Sequence, residues 1–242
     1  MARYILLALT FLVAFLVLVN ICNANIEDSF TYSLQQNICK ANEYLGNSKS
    51  EKAYTLFESA LNLLLEYEYD SSFQLLEKIL EDDATKREIK VKSSLVVSWL
   101  LYRIGEKESS IKKLDLLKQD LSDDEFQNNI GYISFLEAAH LGWEYLKVRL
   151  KLLSIAIENI DDNDPLKLEV YVSYVDMLSD YGDLIKAQKI NDAHCQLIKL
   201  SYNDKDSFKS RFFLTKGYLE FKKGNIKKAL KMLIFCQENA MQ

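Results

Sequence analysis

The stretch Lys209–Phe235, KSRFFLTKGYLEFKKGNIKKALKMLIF, constrains the chain most, because it reads as two short helices joined by a tight turn. Phe213, Gly217 and Phe221 recur every four residues with Leu214 and Tyr218 beside them, which places one apolar stripe on a helix. Gly224-Asn225 interrupts the pattern, and both residue types tolerate the left-handed backbone that ends a helix. Ile226, Ala229, Leu230, Leu233 and Ile234 then form a second stripe. The small residues Gly217 and Ala229 let the two stripes approach closely, so the unit is a helical hairpin.

The turn signal recurs upstream. Gly182-Asp183 is followed by Ala187, Gly105 by Ser110 and Tyr67 by Ser72, each small residue five positions on, whereas Gly142 is followed by Lys147 and breaks the rule. Turns at 67, 105, 142, 182 and 224 are 38, 37, 40 and 42 residues apart, which predicts five hairpins. Ser48 to Glu51, Thr85 to Glu88 and Ser122 to Glu125 have the spacing of capping boxes, and Asp164-Pro165 that of a cap with a first-turn proline. Each places a helix start where the period requires one. Residues 26–45 read as a lone helix with Phe30, Leu34, Ile38 and Tyr44 near one face, ended by Gly46 and capping the first hairpin.

Gly217, Phe221, Gly224 and Ala229 stand at the spacing of the small, aromatic, glycine and alanine positions of a tetratricopeptide repeat, so the stretch resembles one such repeat. Residues 48–240 resemble a degenerate, longer-looped array of them. The family's repeat has about 34 residues and commonly a proline near its end; here the spacings are longer and Pro165 is the only proline. The resemblance implies an all-α fold, a right-handed α-solenoid of about five hairpins with the N-terminal helix as cap. It also implies a concave groove lined by the first helix of each hairpin.

Projected onto this chain, the family pattern assigns Lys92, Trp99, Tyr102 and Arg103, then Tyr132 and His140, then Arg211, Tyr218 and Lys222 to partner binding in that groove. Aromatic and arginine side chains are the types that anchor interfaces. The competing expectation for Trp99 and Tyr218 is burial, since a stripe at helical spacing usually faces a core. The family's carboxylate clamp for chaperone tails is missing: Phe57 and Leu61 stand where it would carry polar residues.

Residues 5–21 carry no charge, follow Arg3 and run into a polar segment with Cys22-Asn23-Ala24. Residues 1–24 therefore read as a targeting segment, either a signal peptide cut after Ala24 or a membrane anchor, and residues 25–242 as the repeat domain. Either way the domain is expected outside the cytoplasm, periplasmic or secreted, with membrane contact only through an uncleaved N-terminal segment. Without residues 1–24, 29 basic and 35 acidic residues leave a net charge of −6. Cys195 and Cys236 fall late in consecutive hairpins and are read as small buried residues or a facing pair, with Cys39 the odd one.

No catalytic constellation is visible: there is no phosphate loop, no Cys-x-x-Cys and no nucleophile elbow, so neither an enzyme nor a cofactor is expected. His194-Cys195 point in different directions on a helix, and Asp161-Asp162-Asn163-Asp164 lacks the glycine and distal glutamate of a calcium loop, so no metal is expected. Residues 25–85 have a net charge of −8 and residues 205–231 of +7, a dipole that orients on an anionic membrane or partner or drives head-to-tail association. The apolar run Met232–Cys236 near the end points to cover by a partner, by a further domain or by a second copy, a homo-oligomer through the last hairpin. Net acidity and export argue against nucleic acid. Two functions follow: an extracytoplasmic protein–protein interaction scaffold holding a partner protein or peptide in its groove, or the sensory ectodomain of a larger bacterial membrane signalling receptor.

Overall fold

The computed structural model describes residues 49–65, 68–162, 164, 166–201 and 206–240; the side chains of residues 49–51, 65, 197–201, 206–211 and 236–240 fall outside that description. The expected capping helix at 26–45, the apolar segment at 5–21 and the Ser48 cap lie outside the described residues. The described chain is helical, without strands, and falls in two compact units divided between Met177 and Leu178.

The first unit holds α1 (Lys49–Leu65), α2 (Tyr69–Glu81), α3 (Arg87–Arg103), α4 (Lys107–Asp120), α5 (Asp123–Asn128), α6 (Ile130–His140), a 3₁₀ turn (Trp143–Tyr145), α7 (Leu146–Asn159) and most of α8 (Leu166–Tyr181). The second holds the end of α8, then α9 (Leu184–Ser201), α10 (Asp206–Lys222) and α11 (Ile226–Ala240). The pairs α1/α2, α3/α4, α6/α7 and α10/α11 pack as hairpins, and α8 leads into α9 through Gly182. In the first unit α3 also packs on α1, α2 and α6. Leu76, Leu95, Phe135, Ile133 and Leu153 are fully buried there.

The turns share one geometry. Gly105, Gly182 and Gly224 have φ of 91°, 91° and 79°, the left-handed region where a Cβ is penalised. The amide after each glycine donates to a carbonyl five residues back: Glu106 to Leu101 at 2.8 Å, Asp183 to Leu178 at 3.0 Å and Asn225 to Glu220 at 2.9 Å. The glycine amide itself donates to Tyr102, Ser179 or Phe221, completing a Schellman ending. Glu68 to Leu63 at 2.9 Å is the same bond in the first hairpin, around residues outside the description.

Small residues twelve positions apart mark where paired helices come closest. Ser72 donates its hydroxyl to the Ala60 carbonyl at 2.7 Å, and Ser98 and Ser110 donate to each other's carbonyls at 2.9 and 2.6 Å. In the last hairpin a Cβ on Gly217 would lie 3.4 Å from Leu233 and 3.5 Å from the Ala229 carbonyl.

One local expectation is corrected, and one irregularity is explained. Thr85 is buried and α3 starts after Lys86 with no side-chain cap, so Thr85 to Glu88 is not a capping box. The third hairpin departs from the turn rule: its first arm is broken at Asn129 into α5 and α6, Gly142 has φ −74°, and the 3₁₀ turn intervenes before α7. That inserted turn moves the start of the second helix, so Lys147, the exception to the rule in the sequence, stands exposed. The Ser122 to Glu125 box forms in full, and Asp164 caps α8 by accepting from the Leu166 amide at 3.0 Å. Gly131 carries a constraint the sequence did not reveal, since a Cβ there would sit 2.7 Å from Ile160 Cγ1.

Alanine at Gly105, Gly182 or Gly224 is expected to destabilise the fold by about 1–2 kcal/mol each through the left-handed backbone alone, because the space around them is open. Gly142→Ala should change stability by less than about 0.5 kcal/mol, since only the exposed Glu144 carboxylate has to swing aside. Urea unfolding of the four variants checks this, and a Gly142→Ala loss equal to the others would refute it.

Candidate functional site

The nine residues singled out by the family pattern fall in two places, six in the first unit and three in the second. On α3, Trp99 is 4 % exposed: its ring stacks on Tyr102 at 5.4 Å and tilts against Phe135 at 4.6 Å, and its indole nitrogen has no partner among the described residues. Trp99 is therefore core. Arg103 lies across this cluster, 5.5 Å above the Trp99 ring, donating to the Tyr69 hydroxyl at 2.8 Å and pairing with Glu169 at 3.6 Å. Glu169 is buried, so the guanidinium compensates a carboxylate taken from water.

His140 ends α6 beside the Tyr102 ring, at 5.8 Å between centroids. Its Nε2 meets the Ser110 hydroxyl at 2.7 Å. The single Ser110 proton is directed to the Ser98 carbonyl, so the histidine Nε2–H donates and the pair fastens α6 to α4. Burial, reinforced by the charge of Lys107, holds the His140 pKa below its ordinary value against the pull of Asp115 and Glu137.

Tyr132 is also buried and donates to Asp164, the α8 cap. Burial raises the Asp164 pKa, and the bonds from Tyr132 and Leu166 and the charge of Lys92 only partly offset it. The acidic loop before α8 is thus spent internally: Asp164 caps, and Asp162 holds the buried Lys167 ammonium at 2.6 Å, which also donates to the Ile160 carbonyl. Among the described residues no group of three or more His, Cys, Asp and Glu side chains is placed to hold a metal ion.

Of the six, Lys92 borders an open cleft. This cleft of about 340 Å³ lies between α1 and α3, lined by Tyr54, Thr55, Phe57, Lys86, Glu88, Ile89 and Lys92. Lys92 pairs with Glu88 one turn earlier at 3.3 Å, and Tyr54 is 53 % exposed beside it. Sequence reasoning missed Tyr54 because it sits next to the stripe Ala53, Phe57, Ala60 and Leu64, all of them buried. A large aromatic one position off an apolar stripe was the available signal. Phe57 and Leu61, where a carboxylate clamp would be polar, are both core.

In the second unit, Tyr218 donates to Asp180 at 2.5 Å and Lys222 pairs with the same oxygen at 2.6 Å, its ammonium 5.1 Å above the Tyr218 ring. Burial and the Asp180 hydrogen bond raise the Tyr218 pKa, while Asp180 raises that of Lys222. These three side chains join the end of α8 to α10. The Arg211 side chain lies outside the described residues, as do those of Cys39 and Cys236, so the expected cysteine pairing falls outside them too. Cys195 is half-buried with a free thiol.

His194 is 1 % exposed and sits edge-on to Phe212 at 5.8 Å, and burial lowers its pKa to about 4. The unfolded imidazole titrates near 6.5, so between those values the folded chain binds fewer protons. The stabilisation is complete above pH 6.5 and is lost as the pH falls to about 4, with a slope of at most about 1.4 kcal/mol per pH unit. His194→Leu is expected to flatten the difference in stability between pH 6.5 and 4, measured by urea midpoints at each pH. An unchanged slope would show that the histidine does not titrate with unfolding.

No helix among the described residues is long and apolar enough to cross a membrane. No protein-family model, curated protein or solved structure matches the chain.

Proposed function

We propose that the chain is a tetratricopeptide-like α-solenoid acting outside the cytoplasm as an interaction scaffold, with a partner protein or peptide held against the first helices of its hairpins. The observation that carries this reading is the cleft between α1 and α3, which presents the exposed Tyr54 ring and the Lys92 stem over a floor of Phe57 and Ile89. Three features support the solenoid part. The same glycine turn closes two of the hairpins and leads from α8 into α9, the small residues twelve apart recur, and the first helices α1, α3 and α6 pack in succession within one unit. Export rests on the uncharged segment 5–21 behind Arg3.

Of the anchoring residues, Lys92 is one the family pattern favours and Tyr54 is not. Trp99 and Tyr132 are buried and Arg103 is engaged with Glu169, so Tyr54 and Lys92 take the role of contact residues. An exposed tyrosine beside an apolar cleft gives a partner large contact area at small conformational cost.

A photoreactive amino acid at Tyr54 in the full chain should crosslink one defined envelope protein or peptide, and the yield should fall several-fold on adding Lys92→Glu. The same probe at the exposed Lys112 on α4 should capture nothing. Equal capture from both positions, or none from Tyr54, would refute the cleft as the binding surface.

A further inference from the structure

The α10–α11 hairpin turns one side of its last helix to solvent in an unusual composition. Ile226, Leu230 and Ile234 follow each other at four-residue spacing and are 50 %, 39 % and 42 % exposed, while Ala229 and Leu233 on the neighbouring side are buried. An apolar row of this kind at a surface marks a binding face. Beside it stand Lys227 and Lys231, both exposed. Between Glu220 and Glu238 the sequence has five lysines and no acid.

The one acid within the hairpin core is withdrawn from that surface. Glu220 is 1 % exposed and receives Lys228 at 2.9 Å, Lys223 at 3.4 Å and the Asn225 amide at 2.8 Å. Glu220 thereby offsets one of the two charges of Lys223 and Lys228, and Lys227 and Lys231 stand exposed along the apolar row.

We propose that this side of α11 docks on an anionic phospholipid surface, the apolar row entering the acyl boundary and Lys227 and Lys231 meeting headgroup phosphates. Apolar residues on one side of a helix with lysines along their edge are the composition of a helix lying in a membrane interface. Lysine stems carry their ammonium groups outward to headgroups while their methylenes cover apolar surface. A second copy is the less favourable occupant: a symmetric α11–α11 contact would bring Lys227 and Lys231 of both helices together against a single acid per helix, Glu238. Kept as an anchor, the uncharged segment 5–21 would hold the same chain at a membrane, with this surface within reach.

The test is co-sedimentation of the full chain with vesicles of phosphatidylcholine alone and of an equimolar phosphatidylcholine–phosphatidylglycerol mixture, at low salt. The N-terminal segment contributes to binding on both, so the quantity read is the ratio. The parent is expected to favour the anionic vesicles by about tenfold, at roughly fivefold per lysine near the surface before losses. Lys227→Glu with Lys231→Glu should bring the ratio to about one, and Lys227→Gln with Lys231→Gln should lower it in part. Leu230→Ser with Ile234→Ser should weaken anionic binding, with helical content by circular dichroism unchanged throughout. Lys112→Glu with Lys151→Glu, exposed lysines elsewhere, should leave the ratio alone. A parent ratio near one, a ratio kept by the α11 charge variants, or a soluble dimer abolished by Ile234→Ser would each overturn the proposal.

Discussion

Both units depend on the backbone hydrogen bond that closes each turn. The amides of Glu68, Glu106, Asp183 and Asn225 reach carbonyls five residues earlier, and the carbonyls of these same four residues accept from Ser72, Ser110, Ala187 and Ala229 at 2.9–3.0 Å. One residue therefore ends one helix and begins the next. Because it belongs to both hydrogen-bond systems, the second helix has no freedom to slide along the first. That fixed register sets residues twelve positions apart against each other, as in Ala60 with Ser72 and Ser98 with Ser110.

A forced close approach leaves room only for small side chains, and the chain meets the requirement in two chemically different ways. Gly217 and Ala229 fill the gap by having almost no side chain. The serine pairs fill it with hydroxyls whose donors are satisfied by the opposing carbonyl, so no buried polar group is left without a partner there. The third hairpin lacks the left-handed glycine and so lacks the register. Its gap is bridged instead by Arg149, whose Nε donates to the Ala138 carbonyl at 2.9 Å while its guanidinium lies 5.1 Å from the exposed Trp143 ring.

The turns were legible because left-handed backbone has a residue signature: Gly105, Gly182 and Gly224 announce it, whereas Gly142, at negative φ, gives the same letter without the geometry. Which first-helix residues reach solvent was much less legible. Periodicity identifies a wet side only when a helix has one, and α3 is enclosed by α1, α2, α4 and α6. Every residue from Leu95 to Leu100 is buried in consequence, and Trp99, an interface anchor by type, became a core residue by position. Thr85 failed as a cap for a related reason, since it is buried next to a helix that starts after Lys86. Local signals hold where no tertiary neighbour competes with them, as at the exposed Ser122 box.

Counting charges along a sequence treats them all as surface charges, and in this fold several are not. Glu169 answers Arg103, Asp164 takes the Tyr132 hydroxyl, Lys167 is buried on Asp162 and Ile160, and Glu220 lies under Lys228. Burial pushes the Glu220 pKa up, but the bonds from Lys228 and Asn225 and the charges of Lys223 and Lys228 outweigh it and hold the carboxylate below its ordinary range. Glu220 therefore stays charged inside the hairpin at neutral pH and offsets one lysine charge from within, while the lysines it does not reach add to the outer potential. The surface of α11 is in this way more sharply basic along one line than a net charge over residues 205–231 conveys. What a partner meets is decided by which charges the core has already used.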